Sequence, residues 1–141
     1  MRKKLTLLIL TFFPLMGLSQ IKADDILGVW LTEVKDAKIE IYLKNRKYYG
    51  KVVWIKVPND KNGQPIKDSN NPDATKKNQT ILGMDILTGF FFKSNEWIDG
   101  NIYDPKNGEI YTCKLWLENG NLKVRGYVGW FYDTKTWTQV N

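Results

Sequence analysis

A chain of 141 residues with a formal charge of +6, one cysteine and no histidine fits one domain and excludes much chemistry before any motif is read. Without histidine there is no Ser-His-Asp or Cys-His pair and no histidine-bound zinc, and the lone Cys113 cannot close an internal disulfide. Half of the basic excess belongs to the leader described next, so the charge does not point to nucleic acid.

Residues 1–19 have the three parts of a secretory signal peptide. Arg2, Lys3 and Lys4 form a positive start, and Leu5 to Leu18 is an apolar run broken only by Thr6, Thr11, Pro14 and Gly17. Gly17 and Ser19 then place small residues at the −3 and −1 positions of a cut before Gln20. A cut after Ala23 is the alternative, with the less usual Ile21 at −3. The run is short for a membrane span, and no cysteine follows it to carry a lipid anchor. Loss of the leader takes the formal charge from +6 to +3. The expected product is a single domain, 24–141, in the periplasm or outside the cell, with no stable membrane span.

The remaining segments read as strands. Ile26–Glu33 (ILGVWLTE) is the first, opened by Gly28. In Lys38–Leu43 (KIEIYL), Ile39, Ile41 and Leu43 alternate with Glu40 and Tyr42, the period of a strand with one face buried. Asn45-Arg46 is a tight connection to Lys47–Val57 (KYYGKVVWIKV). Placing Lys51 in water puts Tyr48, Val52 and Trp54 inside, with Gly50 marking a bend or bulge on that face. Residues 58–79 hold three of the five prolines and almost nothing apolar, a long polar loop of the kind that is functional or mobile. Thr80–Phe92 is either a strand or a short helical turn followed by one; Gly83 and Gly89 disfavour a long helix. Trp97–Tyr103, Glu109–Glu118 and Asn121–Val128 are three strands joined by turns at Asp104–Gly108 and at Glu118–Asn121. Asn-Gly between alternating apolar runs is a strong hairpin signal, because both residues tolerate positive φ. Thr134–Val140, rich in β-branched and aromatic residues, closes the chain.

Eight short-linked strands without a strong amphipathic helix predict an all-β, up-and-down antiparallel barrel. An open sandwich is the alternative. Such a barrel encloses either a side-chain core or one small ligand. The alternation turns Trp30, Ile41, Tyr48, Val52, Trp54, Leu115 and Val124 inward as candidate cavity residues. Asp68, Asn71 and Asp73 of the long loop are placed to gate the mouth. Tyr42, Trp116, Tyr127 and Trp137 fall on the opposite, outward face among polar neighbours. Their rings are covered by the loop 58–79 or by Phe90–Phe92, form a partner or dimer surface, or stack on sugar rings.

Other chemistry is thin. Asp60, Asn62, Asp68, Asn71 and Asp73 crowd one loop, but Gly63 is the fourth position from Asp60 where an EF-hand needs it sixth, and no bidentate Glu follows. Asx-turns explain these residues more simply. Glu33, Glu40 and Glu96 are possible members of a carboxylate pair, but no motif places them. Cys113 alternates with Tyr111, Leu115 and Leu117 and reads as an inert buried thiol.

Several strings together resemble the bacterial family known as domain of unknown function 2147. They are Gly28–Trp30 (GVW), Asp68 with Asn71-Pro72-Asp73, Gly100–Pro105 (GNIYDP), Gly108 with Tyr111, Val124-Arg125-Gly126, and Thr136-Trp137-Thr138. The resemblance covers nearly all of the chain after the leader. It implies small exported proteins without an assigned activity and a lipocalin-like (calycin) barrel, with Gly28-x-Trp30 as the calycin signature. It also implies that Trp30 packs under a basic side chain at the closed end, for which Arg125 is the candidate. Tyr49 and Tyr127 stand where many members carry cysteines, so a disulfide between those strands is absent. The function expected from all of this is a non-enzymatic, exported binder of a small hydrophobic or amphiphilic ligand, with no cofactor and no metal. The second reading is a solid barrel whose outer aromatics dock on an envelope protein or glycan.

Overall fold

A computed structural model describes residues 9–14 and 19–141; most of the expected leader, residues 1–8 and 15–18, lies outside the described residues. Eight antiparallel strands form a closed barrel in chain order: β1 (Gly28–Leu31), β2 (Ala37–Lys44), β3 (Lys47–Ile55), β4 (Asp85–Lys93), β5 (Glu96–Asp104), β6 (Glu109–Glu118), β7 (Asn121–Val128) and β8 (Phe131–Gln139). Trp30↔Gln139 and Leu31↔Thr138 close the ring between β1 and β8. The seam is short, and beyond it the Thr136 amide of β8 is satisfied by the Glu33 side chain. No helix among the described residues is long and apolar enough to cross a membrane.

The two ends of the barrel are built differently. At one end three two-residue turns join β2–β3, β4–β5 and β6–β7: Asn45-Arg46, Ser94-Asn95 and Asn119-Gly120, all with positive φ at both positions. That backbone twist matches the twist of the flanking strands. A short 3-10 helix, Ala23–Ile26, lies across this end as a plug. Three inward side chains hold it. The Trp30 indole donates to the Ile26 carbonyl at 2.9 Å, the Trp97 indole to the Ala23 carbonyl at 3.1 Å, and the Tyr48 hydroxyl to Asp24 Oδ1 at 2.7 Å. Above the plug Tyr48, Phe90, Phe92 and Trp97 fill the barrel, Trp97 lying edge-on to Tyr48 and tilted against Phe92. Phe90 lies flat over Gly100, where a Cβ would meet three ring carbons within 2.5 Å.

The other end is open. It carries the β1–β2 turn (residues 32–36), the long β3–β4 connection (56–84), the β5–β6 turn (105–108) and the β7–β8 turn at Gly129-Trp130. The long connection is not strand-like before Asp85. The Val52 amide donates to the Met84 carbonyl and the Gly83 amide to the Val52 carbonyl, so residues 81–84 form a turn laid along β3. Residues 58–80 are ordered by two isolated bridges, Asn59↔Pro65 and Lys67↔Thr80, and by a 3-10 turn, Ala74–Lys76, capped by Asp73.

Two inward or outward assignments from the alternation are reversed. Between Ile39↔Val52 and Lys38↔Trp54, Val53 is an extra residue in β3. This bulge shifts the parity, so Ile55 turns toward the interior and Trp54 turns out, 38% exposed, with Lys38 Nζ 5.1 Å from its ring centroid. Trp137, expected outside, is 4% exposed and lies in the core opposite Leu122.

Candidate functional site

The upper half of the barrel is hollow. A cavity of about 990 Å³ opens at the end away from the plug. Its apolar wall includes Ile39, Val52, Ile55, Ile86, Ile102, Val124 and Trp137, with Ile66 and Ile81 contributed by the long connection. The register explains why these residues converge. Directly opposed residues in an antiparallel pair share a face, which links Leu87↔Ile102↔Tyr111 across β4–β6 and Leu115↔Val124↔Lys135 across β6–β8.

The same register carries charge to the lip. Lys135 and Asp133 face inward because they oppose Val124 and Gly126. Lys135 Nζ lies 3.0 Å from Asp133 Oδ2 and 3.9 Å from Glu33 Oε2. The hydrogen bond that the ammonium donates to Asp133 holds it above its usual pKa, with Glu33 adding to the effect. Across the mouth Lys106 Nζ meets Asp36 Oδ2 at 3.0 Å. Burial pushes the Asp36 carboxyl up, but hydrogen bonds from Lys106 and Thr32 outweigh it and leave its pKa lowered. The arrangement is an apolar pocket with polar groups confined to its entrance, which suits an amphiphile with its chain inward.

Of the seven expected cavity residues, Val52 and Val124 line the cavity. Trp30, Ile41, Tyr48 and Leu115 are buried in the core but belong to its packed floor, and the bulge excludes Trp54. Ile39, Ile55, Ile86, Ile102, Tyr111 and Trp137 of the wall, Ile66 and Ile81 of the long connection, and Asp133 and Lys135 at the lip are not among those seven.

The loop residues have other work. Asp68 is fully buried; it accepts from the Tyr103 hydroxyl at 2.7 Å and from Asn71 Nδ2 at 2.8 Å. Asn70 Nδ2 donates to the Pro105 and Lys106 carbonyls, and its own carbonyl lies where Gly108 would carry a Cβ. Asp68 therefore pins the connection to β5 and Asn70 pins it to the β5–β6 turn, with Asn71 bracing Asp68, which makes it a fixed wall of the mouth. Asp73 caps the 3-10 turn by accepting from the Thr75 amide, and Asp60 accepts from the Asn62 and Gln64 amides. Among the described residues no group of three His, Cys, Asp or Glu converges as a metal site.

Arg125 does not cover Trp30. It lies on the outer wall, 4.8 Å from the Trp116 ring centroid and 4.1 Å from that of Tyr132, with Nε donating to Thr134 Oγ1. Trp30 points into the closed end and finds its partner in the plug instead. The other outward aromatics are also clothed by cations rather than by the long loop. Tyr42 carries Lys51 and donates to Asp85, Tyr49 carries Lys44, and Phe91 carries Lys47. Tyr127 packs on Tyr132. Glu40 and Glu96 each pair with a lysine, Lys51 and Lys114, and Glu33 accepts from the Thr136 amide, so the three carboxylates stand apart. Cys113 is buried, and desolvation pushes its thiol up to about 12.

A family profile described as an uncharacterized protein conserved in bacteria (DUF2147) matches residues 28–139. No curated protein matches the chain. Among solved structures, a Helicobacter pylori protein described as HP1028, belonging to the lipocalin family, aligns with a TM-score of 0.69 at 19% identity, over 82% of this chain and 82% of its own. At that identity the likeness is one of fold: a lipocalin-like barrel.

Proposed function

The chain belongs to this DUF2147 family of bacterial proteins, and from that premise we propose that it is an exported, non-enzymatic carrier of a small hydrophobic or amphiphilic ligand. The observation that carries the reading is the cavity of about 990 Å³, a size that takes one small-molecule ligand. Its walls are mainly branched aliphatic side chains with Trp137 and Tyr111, and its charged groups gather at the lip, where Asp36 pairs with Lys106 and Glu33 and Asp133 with Lys135. Burial raises the pKa of the Cys113 thiol, which disfavours the nucleophilic thiolate. The leader-like residues 1–19 support export. The cavity favours this reading over that of a solid barrel docking through its outer aromatics.

Titration with an apolar fluorescent dye such as anilinonaphthalenesulfonate tests the reading. A saturable signal at one site per chain, displaced by single-chain alkyl amphiphiles, is the expected result. A weak signal that never saturates, or one that alkyl amphiphiles leave in place, would refute the carrier.

A further inference from the structure

The plug at the closed end lies directly behind the leader, and its contacts bear on the two cuts that the sequence allows. Ile21 and Ala23 are partly buried against the core, and Ile26 is fully buried. The Lys22 amide donates to Asp25 Oδ2 at 2.8 Å, and the Lys22 carbonyl accepts from the Asp25 amide at 3.1 Å, so Lys22 and Asp25 cap the first turn reciprocally. The Ala23 carbonyl accepts from the indole of Trp97, a residue with no exposed surface. Ser19 and Gln20 are different. Both are exposed, lie outside any helix or strand, and make no backbone hydrogen bond among the described residues. The border of the folded domain therefore falls between Gln20 and Ile21.

We propose that a signal peptidase cuts the chain between Ser19 and Gln20, and that residues 21–26 stay on the product as the stopper of the barrel floor. This rests on the export part of the reading above and not on the ligand. Water adds across the Ser19–Gln20 peptide bond. Ser19 leaves with the leader as a carboxylate, and Gln20 keeps the nitrogen as an ammonium. Sequence and fold agree on this bond. The cut needs small residues at −3 and −1; Gly17 and Ser19 supply them, whereas the cut after Ala23 has Ile21 at −3. That second cut would also break the chain at the carbonyl that Trp97 holds. It would take Ile21 off the core and remove the Lys22 cap. It would leave the Trp97 N–H without its acceptor, a costly state for a buried donor. Order of export fits as well. Trp97 follows Ala23 by 74 residues, so the plug has no complete seat until β5 has followed it across the membrane. The leader is cut from an extended segment, and the plug docks afterwards.

The test is to produce the full chain with its own leader in a Gram-negative host and to determine the N-terminus and intact mass of the product in each cell fraction. The expected product is periplasmic and begins at Gln20, with or without the loss of one ammonia as the new amine closes on its own carboxamide. A periplasmic product that begins at Asp24 overturns the proposal and leaves export standing. An uncut chain outside the periplasm overturns both. The stopper is tested separately in two chains carried behind the same leader, one lacking residues 20–23 and one with Trp97→Phe, which keeps a ring but removes the donor to Ala23. Each unfolds at a urea concentration lower by about 1 M than the wild type. Midpoints equal to the wild type in both chains would mean that the floor closes without residues 21–23, and would overturn the stopper.

Discussion

At the scale of single residues, the closed half of the barrel depends on a few close fits. Phe90 lies so near the Gly100 backbone that any side chain there must displace the ring. Gly100→Ala should lower stability by about 1–3 kcal/mol, measured by urea unfolding, and Phe90→Leu in the same chain should recover part of that loss. Tyr42, Tyr48 and Tyr103 share another constraint. Burial first, and then donation to Asp85, Asp24 and Asp68, pushes each phenol up to about 12 from the ordinary 10.0. In the unfolded chain these groups lose their protons near pH 10 while the folded chain keeps them. Their contribution is therefore complete below pH 10 and is lost as the pH rises to about 12. Unfolding free energies across that window should fall with pH, and Tyr48→Phe with Tyr103→Phe should flatten the slope. A slope unchanged in that double variant would refute the assignment.

At the scale of elements, what decides the site is register. The strands β2 and β7 were legible because their aliphatic residues alternate with polar or aromatic ones, β6 because Cys113, Leu115 and Leu117 keep the same period, and the Asn45-Arg46 and Asn119-Gly120 turns mark their ends. Trp54 was misplaced because a bulge leaves no mark in composition: Val52, Val53 and Trp54 are all good strand residues on either face. Trp137 was misplaced for a different reason. Counting outward from a two-residue turn at Gly129-Trp130 pairs Val128 with Phe131 and so Leu122 with Trp137, which puts Trp137 inside and Lys135 with it. The alternation of Thr134, Thr136 and Thr138 with Lys135 and Trp137 gives no such anchor by itself. Asp68 and Asn71 were visible as a cluster, but their link to Tyr103 joins residues 35 apart and no local pattern carries it. Two outcomes follow from the observed register. Trp54→Ala should leave dye affinity unchanged in the titration above, because the ring lies outside the cavity. Tyr103→Phe should cost about 1–3 kcal/mol by leaving buried Asp68 short of a donor, and should speed proteolytic cutting within residues 69–79.

At the scale of the whole molecule, the closed ring was legible from strand number and spacing, and the hollow was not. Whether eight strands enclose a core or a cavity depends on which side chains meet at each level, and here the large rings gather at one end. Trp30, Tyr48, Phe90 and Trp97 fill the plugged half, while the inward positions above them are mostly branched aliphatic residues that do not reach across. The result is a cup, solid below and open above, with charged groups gathered at its lip. The direct test is to fill the cup. Val52 on β3 and Val124 on β7 line the cavity from different walls, so Val52→Trp with Val124→Trp occupies it from two sides. The filled variant should keep the wild-type far-ultraviolet circular dichroism and lose dye affinity by about tenfold or more. A folded double variant that still binds the dye as tightly as the wild type would place the ligand elsewhere and contradict an internal site.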